Sequence, residues 1–214
     1  MFNGAEPQLR SPADAPVSYP FLWNITLQKR VQWNGAASNA KIKLPGGPLD
    51  YGALGRNAGE VVGVFGDVAV RPIAGTTDGL KGFVSSVNVE NLGRMEILLD
   101  QLKPPIWPAE LPPIDQALAK RGDALFDQKC ASCHLPQDTW KKGEPTERML
   151  PLRDMGADLT DPWMACNAAT YAAFSGKLEG VKASLVSGEP LGRQSLIVSQ
   201  LATTVKGVLF NRKS

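Results

Sequence analysis

Histidine is almost missing from this chain of 214 residues, with His134 the only one. That excludes any site that needs two imidazoles from this polypeptide. Cysteine is nearly as scarce, limited to Cys130, Cys133 and Cys166. No run of about 18 apolar residues occurs, which excludes a transmembrane helix. Charge of one sign is also lacking: 23 Lys and Arg face 21 Asp and Glu, a formal net charge of +2. Strong attraction to nucleic acid or to an anionic membrane is therefore not implied. Met1 to Asp14 has no basic-then-apolar signal region. No Gly-Lys-Ser/Thr follows the glycines at 52, 55, 59, 63 and 66, so they are not a phosphate loop. No strand clearly precedes them, which argues against a dinucleotide fingerprint. Internal repeats and low-complexity tracts are absent.

What is present is concentrated in Cys130-Ala131-Ser132-Cys133-His134. Two thiols stand three positions apart, and the single imidazole follows at once. On a helical turn both sulfurs project to one side, where they can form thioethers to the two vinyl groups of a haem. The next residue then offers its ring to the iron. This is the c-type haem attachment signature. Three other readings compete. A thioredoxin-like pair needs a strand before the motif and a helix after it. Here the preceding residues look helical and the following ones are Pro- and Lys-rich. A zinc site needs four ligands, for which Cys130, Cys133, His134 and distant Cys166 would have to converge. A Cys130–Cys133 disulfide closes a strained, very short loop. Cys166 is left over, and a lone buried cysteine usually acts as a small apolar residue.

Length allows one or two domains. Residues 1 to about 50 are interrupted by Pro7, Pro12, Pro16, Pro20, Pro45 and Pro48 and read as irregular. They are too apolar for a disordered tail, and Trp23 and Trp33 are expected as anchors. Residues 51 to 67 read as a short helix with a small-residue face. Val68–Val70 and Phe83–Val89 read as a hairpin turning at Gly75–Gly79. A helix is expected from Asn91 to Leu102, ending before Pro104. Lys103 to Pro113 carries five prolines and is the best domain boundary. Helical spacing resumes from Ile114 up to the motif, with Gly122 suited to close helix crossing and Phe126 to packing beside a haem. Asp161 and Pro162 start another helix, Trp163 to Phe174. Gln194 to Val208 forms an amphipathic stripe able to cross the helix that leads into the motif. The fold class is mainly α. A cytochrome c-like helical haem domain (114–214) follows an irregular, Pro/Gly-rich wrapping segment with short helices (1–113).

His134 is expected as the proximal iron ligand, its other nitrogen fixed by a hydrogen-bond acceptor. Bis-histidine ligation is excluded. The distal position decides between electron transfer and an open iron that reacts with O2 or peroxide. Met149 and Met155 lead the candidates, because their loop resembles a distal loop; Met164, Tyr171 and lysines follow.

With these residues in hand, the chain resembles the di-haem cytochrome c peroxidase superfamily, in its rubber-oxygenase-like branch. The matching stretches are Pro12 to Trp23, Val31-Gln-Trp-Asn-Gly35, Gly55-Arg-Asn-Ala-Gly-Glu60, Arg121 to Phe126, the haem motif, and Thr160-Asp-Pro162. The resemblance implies two haem domains in one polypeptide, of which this sequence carries the second. It implies one covalent haem c here, held at Cys130, Cys133 and His134, and an inter-haem aromatic that would fall on Trp23. Only one haem motif is present, so peroxidase or oxygenase activity would belong to a larger parent. A zinc or structural module is the remaining alternative. The implied partner is a redox protein or a second haem domain. The implied compartment is periplasmic or extracellular, with this chain a mature form or a fragment.

Overall fold

The computed structural model describes residues 13–19, 21–32, 34–38, 51–70, 82–136, 150, 161–182 and 189–209. Their order is a 3-10 turn at Ile25–Leu27, β1 (Arg30–Val31), β2 (Ala37–Ser38), α1 (Tyr51–Val64), β3 (Val68–Ala69) and β4 (Val84–Ser85). Then come α2 (Val89–Gln101), α3 (Gln116–Lys129), α4 (Trp163–Thr170), β5 (Ala172–Phe174), a 3-10 turn at Gly176–Leu178, β6 (Gln194–Leu196) and α5 (Ile197–Leu209). The described chain is mainly α. Its strands form three separate antiparallel ribbons, β1 with β2, β3 with β4 and β5 with β6. The expected 68/84 hairpin is thus formed, and its Gly75–Gly79 turn lies outside the described residues.

The small-residue face of α1 meets α5. A Cβ on Gly59 would stand 3.6 Å from Val205, and one on Gly55 3.8 Å from Leu209. Leu54 and Ala58 of α1 are buried with Leu92 of α2, and Val61, Val87, Val89, Val205 and Leu209 close around them. Full burial of one such leucine contributes about 1.5–3 kcal/mol. Beside this core the buried Arg56 pairs with Glu96 across α1 and α2, and Asn57 Nδ2 donates to the same Glu96 oxygen at 2.7 Å. Arg56 Nη1 is buried without a hydrogen-bond partner, and among the described residues Glu96 is the acidic partner of this guanidinium. Glu96→Gln keeps the shape but removes that charge. It is expected to cost about 1.5–3 kcal/mol, read as a lower denaturant midpoint with an unchanged slope.

α2 ends where proline demands. Asn88 caps its start by accepting the Asn91 N–H at 2.9 Å, and Leu102 is already extended. A second cluster joins Phe83, Leu178 and Leu191, with Val68 and Val70 packed on it.

Two expected helices are shorter than their periodicity suggests. The helix from Trp163 stops at Thr170, because Tyr171 is extended (φ −67°, ψ 126°) and residues 172–174 pair with β6. The helix expected from Gln194 begins at Ile197 for the same reason. The buried Gln200 locks the ribbon to α5, its Nε2 donating to Ala173 O at 3.0 Å and Ser195 O at 3.2 Å. The buried hydroxyls of Thr203 and Thr204 donate to the carbonyls of Ser199 and Gln200, four residues back, which satisfies them within the helix.

The expected crossing partner of α5 is corrected as well. Helix α5 packs chiefly on α1. Among the described residues, nothing comes within 4 Å of where a Cβ on Gly122 of α3 would lie, so no described element crosses closely there. Trp23 is 41% exposed rather than a buried anchor, and Trp33 lies outside the described residues.

Candidate functional site

The linker into α3 holds no helix or strand and makes one local turn. Leu111 N–H donates to Pro108 O at 3.2 Å, and Trp107 Nε1–H donates to Pro112 O at 3.0 Å. Asp115 then starts α3, its Oδ1 accepting the N–H groups of Ala117 at 2.8 Å and Leu118 at 3.0 Å. These are two of the four donors that a helix start leaves unpaired. Asp115→Ala is expected to weaken the helix by about 0.5–2 kcal/mol. Amide exchange in α3 would quicken while that in α5 stays unchanged.

The motif continues α3 as a compact helical turn. Cys130 N–H and Ala131 N–H both reach back to Phe126 O, at 2.7 and 2.9 Å. Cys133 N–H and His134 N–H both donate to Cys130 O, at 3.0 and 2.9 Å. Residues three apart on such a turn share a side, so the backbone presents both thiols together. Cys130 and Cys133 are free and partly exposed, and His134 is exposed. No residue of α3 is buried. Leu118 is 58% and Leu125 57% exposed; seven positions apart, they share one uncovered face. Two free thiols one turn apart, an adjacent imidazole and an uncovered apolar face fit a covalently held haem. The His134 ring has no hydrogen-bond partner among the described residues, so the acceptor expected at its second nitrogen is not seen there.

Among the described residues, no group of three or more His, Cys, Asp or Glu could hold a metal ion, although all four proposed zinc ligands are described. Cys166 sits partly buried in α4, its carbonyl accepting the Thr170 hydroxyl at 2.8 Å. Met164 lies in the same helix, its carbonyl accepting from Asn34 Nδ2 at 3.4 Å. Met149 and Met155 lie outside the described residues. Trp23 precedes the turn at Ile25–Leu27, which rests on α2 through Thr26 Oγ1–H donating to Asp100 at 3.0 Å. Asp161 does accept the Trp163 N–H, at 2.9 Å, as a helix start there requires.

One polar link escaped sequence reasoning. Asp14 accepts from Asn167 Nδ2 at 2.8 Å and from the Tyr171 hydroxyl at 3.2 Å. It ties the early segment to α4 at Asn167, 153 residues away, and to Tyr171 just beyond that helix, 157 residues away, and no local pattern announces it. Burial first, then the Asp14 charge, push the Tyr171 hydroxyl above its ordinary value of 10.0. A raised acid favours the neutral hydroxyl in the folded chain. The link is therefore intact below about pH 10 and is lost as pH rises through the raised value. Tyr171→Phe is expected to remove this alkaline loosening, followed by proteolysis of the early segment as pH is raised above the ordinary tyrosine value of 10.0.

Comparison with known proteins finds two relatives from Sinorhizobium fredii (strain NBRC 101917 / NGR234). The uncharacterized protein y4iJ is 29% identical over 134 residues, covering 57% of this chain and 20% of the relative. The uncharacterized protein y4iM is 25% identical over 174 residues, covering 81% of this chain and 31% of the relative. The chain thus spans less than a third of the length of either. No family model matches the chain, and no solved structure matches it.

Proposed function

We propose that the chain is a haem c module for electron transfer within a larger haem protein of the di-haem peroxidase or oxygenase kind. The observation that carries this reading is the C-x-x-C-H turn closing α3, with both thiols free and the apolar face of the helix uncovered. Cys130 and Cys133 would hold one haem through thioethers, and His134 would be the proximal ligand of its iron. Such a group supplies a reversible one-electron couple. The residues of this chain set its surroundings. The thiols would fix its position, the His134 ring would be available to the iron, and the exposed Leu118 and Leu125 would be available to shield it from water. In this reading residues 114–214 carry the cytochrome c-like haem segment and 1–113 wrap around it, with α5 packed on α1 rather than on the helix that leads into the motif. The partner is a redox protein or a second haem domain, and the compartment is the periplasm.

Co-expression with a haem-attachment system and intact-mass measurement tests the proposal. One haem on the peptide containing Cys130–His134 is expected. An unmodified mass, or zinc in place of iron, would refute it.

A second reading assigns the parent protein an enzyme's role, reducing peroxide or activating O2 at a haem outside these residues. The two relatives are longer than this chain, which leaves room for such a haem outside these residues. The distal ligand separates a finished electron carrier from an incomplete enzyme domain. If Met149 or Met155 ligates, the ferric protein shows a weak far-red charge-transfer band. Changing that methionine to alanine should abolish the band and lower the potential, since a thioether favours ferrous iron. Ready cyanide binding by the unaltered chain would instead indicate an open iron.

A further inference from the structure

We infer that Gln116–His134 is a separate, weakly stable arm. The body built from α1, α2 and α5 folds without it and leaves Cys130 and Cys133 accessible on an already folded chain. This goes beyond the haem reading and does not depend on it. Three observations carry it. First, neither apolar cluster draws on α3: one joins Leu54, Ala58 and Leu92, the other Phe83, Leu178 and Leu191. Second, among the described residues the hydrogen bonds from Ile114 to His134 all run within that stretch, from the Asp115 cap to the turn closed on Cys130 O. Third, no α3 residue is buried, and the five prolines of the preceding linker make it a stiff spacer.

An isolated helix shorter than about 12–15 residues is marginal in water, because nucleation is costly and tertiary packing supplies most helical stability. The 14 residues of α3 stand at that margin without packing. The arm therefore opens locally, far more often than the body unfolds. Its consequence is an order of events. The body forms first, and an enzyme that modifies the motif meets both thiols and the imidazole on an exposed segment. This differs from a haem domain whose helices fold only around the haem.

Hydrogen exchange on the unaltered chain, produced without a haem-attachment system, decides the matter. Amides of α3 are expected to exchange within about tenfold of unstructured rates. Those of α1 and α5 should be protected by orders of magnitude more. Iodoacetamide should label Cys130 and Cys133 under native conditions nearly as fast as in urea. The double change Leu118→Asp with Leu125→Asp should leave the thermal midpoint of the haem-free chain unmoved. Equal protection in α3 and α5, or no protected body, would overturn the inference, as would a midpoint lowered by the two aspartates. Absence of haem after co-expression would count against the proposed function alone, because the arm is judged on the haem-free chain.

Discussion

Serine at both Cys130 and Cys133 is expected to leave a folded chain that carries no covalent haem under the conditions that load the unaltered protein. Each thioether needs one sulfur, and the only other cysteine, Cys166, lies in α4 outside the motif turn. A single Cys→Ser change should leave one thioether and a lower yield. His134→Ala should leave both thioethers and change the spectrum instead. No other histidine exists to take its place, so the iron loses its imidazole altogether. Haem staining after denaturing electrophoresis separates these outcomes, because only covalent haem survives it. Stability should change by less than about 0.5 kcal/mol in the haem-free chain, as expected for exposed positions outside a core. Haem that stays attached in the double variant would sink the assignment of the thiols. An unfolded double variant would show that the motif belongs to the body after all.

The legible features were the local ones. The motif lies within one helical turn, so five consecutive residues sufficed to nominate the site. The end of α2 followed from Pro104, the start of α4 from Asp161, and the close-packing face of α1 from its glycine spacing. Features that depend on distant pairing were missed. Residues 172–174 and 194–196 have helical surroundings and became strands because each found the other. Periodicity marked α5 as amphipathic along Ile197, Leu201, Val205 and Val208, yet its buried side runs through Gln200, Thr203, Thr204, Gly207 and Val208, and the partner is α1 rather than α3. The Asp14 link to Tyr171 has no sequence signal, since single polar residues far apart carry no pattern. Trp23 shows the limit of composition: an aromatic in a proline-rich segment suggests an anchor, yet it stays substantially exposed.

Phe83→Ala is expected to cost the body about 3–5 kcal/mol, a large share of a domain's total stability. Phe83 is 1% exposed and joins the β3–β4 ribbon to Leu178 and Leu191. Its N–H also donates to Gly207 O at 2.7 Å, and its ring lies close to the backbone of α5 at Gly207. Gly207 makes that approach feasible. A Cβ there would overlap the Phe83 ring, far inside van der Waals contact with its Cδ2, Cε2 and Cγ atoms. Gly207→Ala, which gains about 1 kcal/mol of helix propensity, should therefore still destabilise, because the ring has to leave its pocket. The two changes are in contact and should not add. With the ring gone, alanine at 207 fills part of the space, so the double variant is expected to be more stable than the sum of its parts. Denaturant unfolding of the haem-free chain measures all four corners of this cycle. Strict additivity would mean that the ring does not rest on Gly207 in solution. A Gly207→Ala variant more stable than the parent would refute the packing outright.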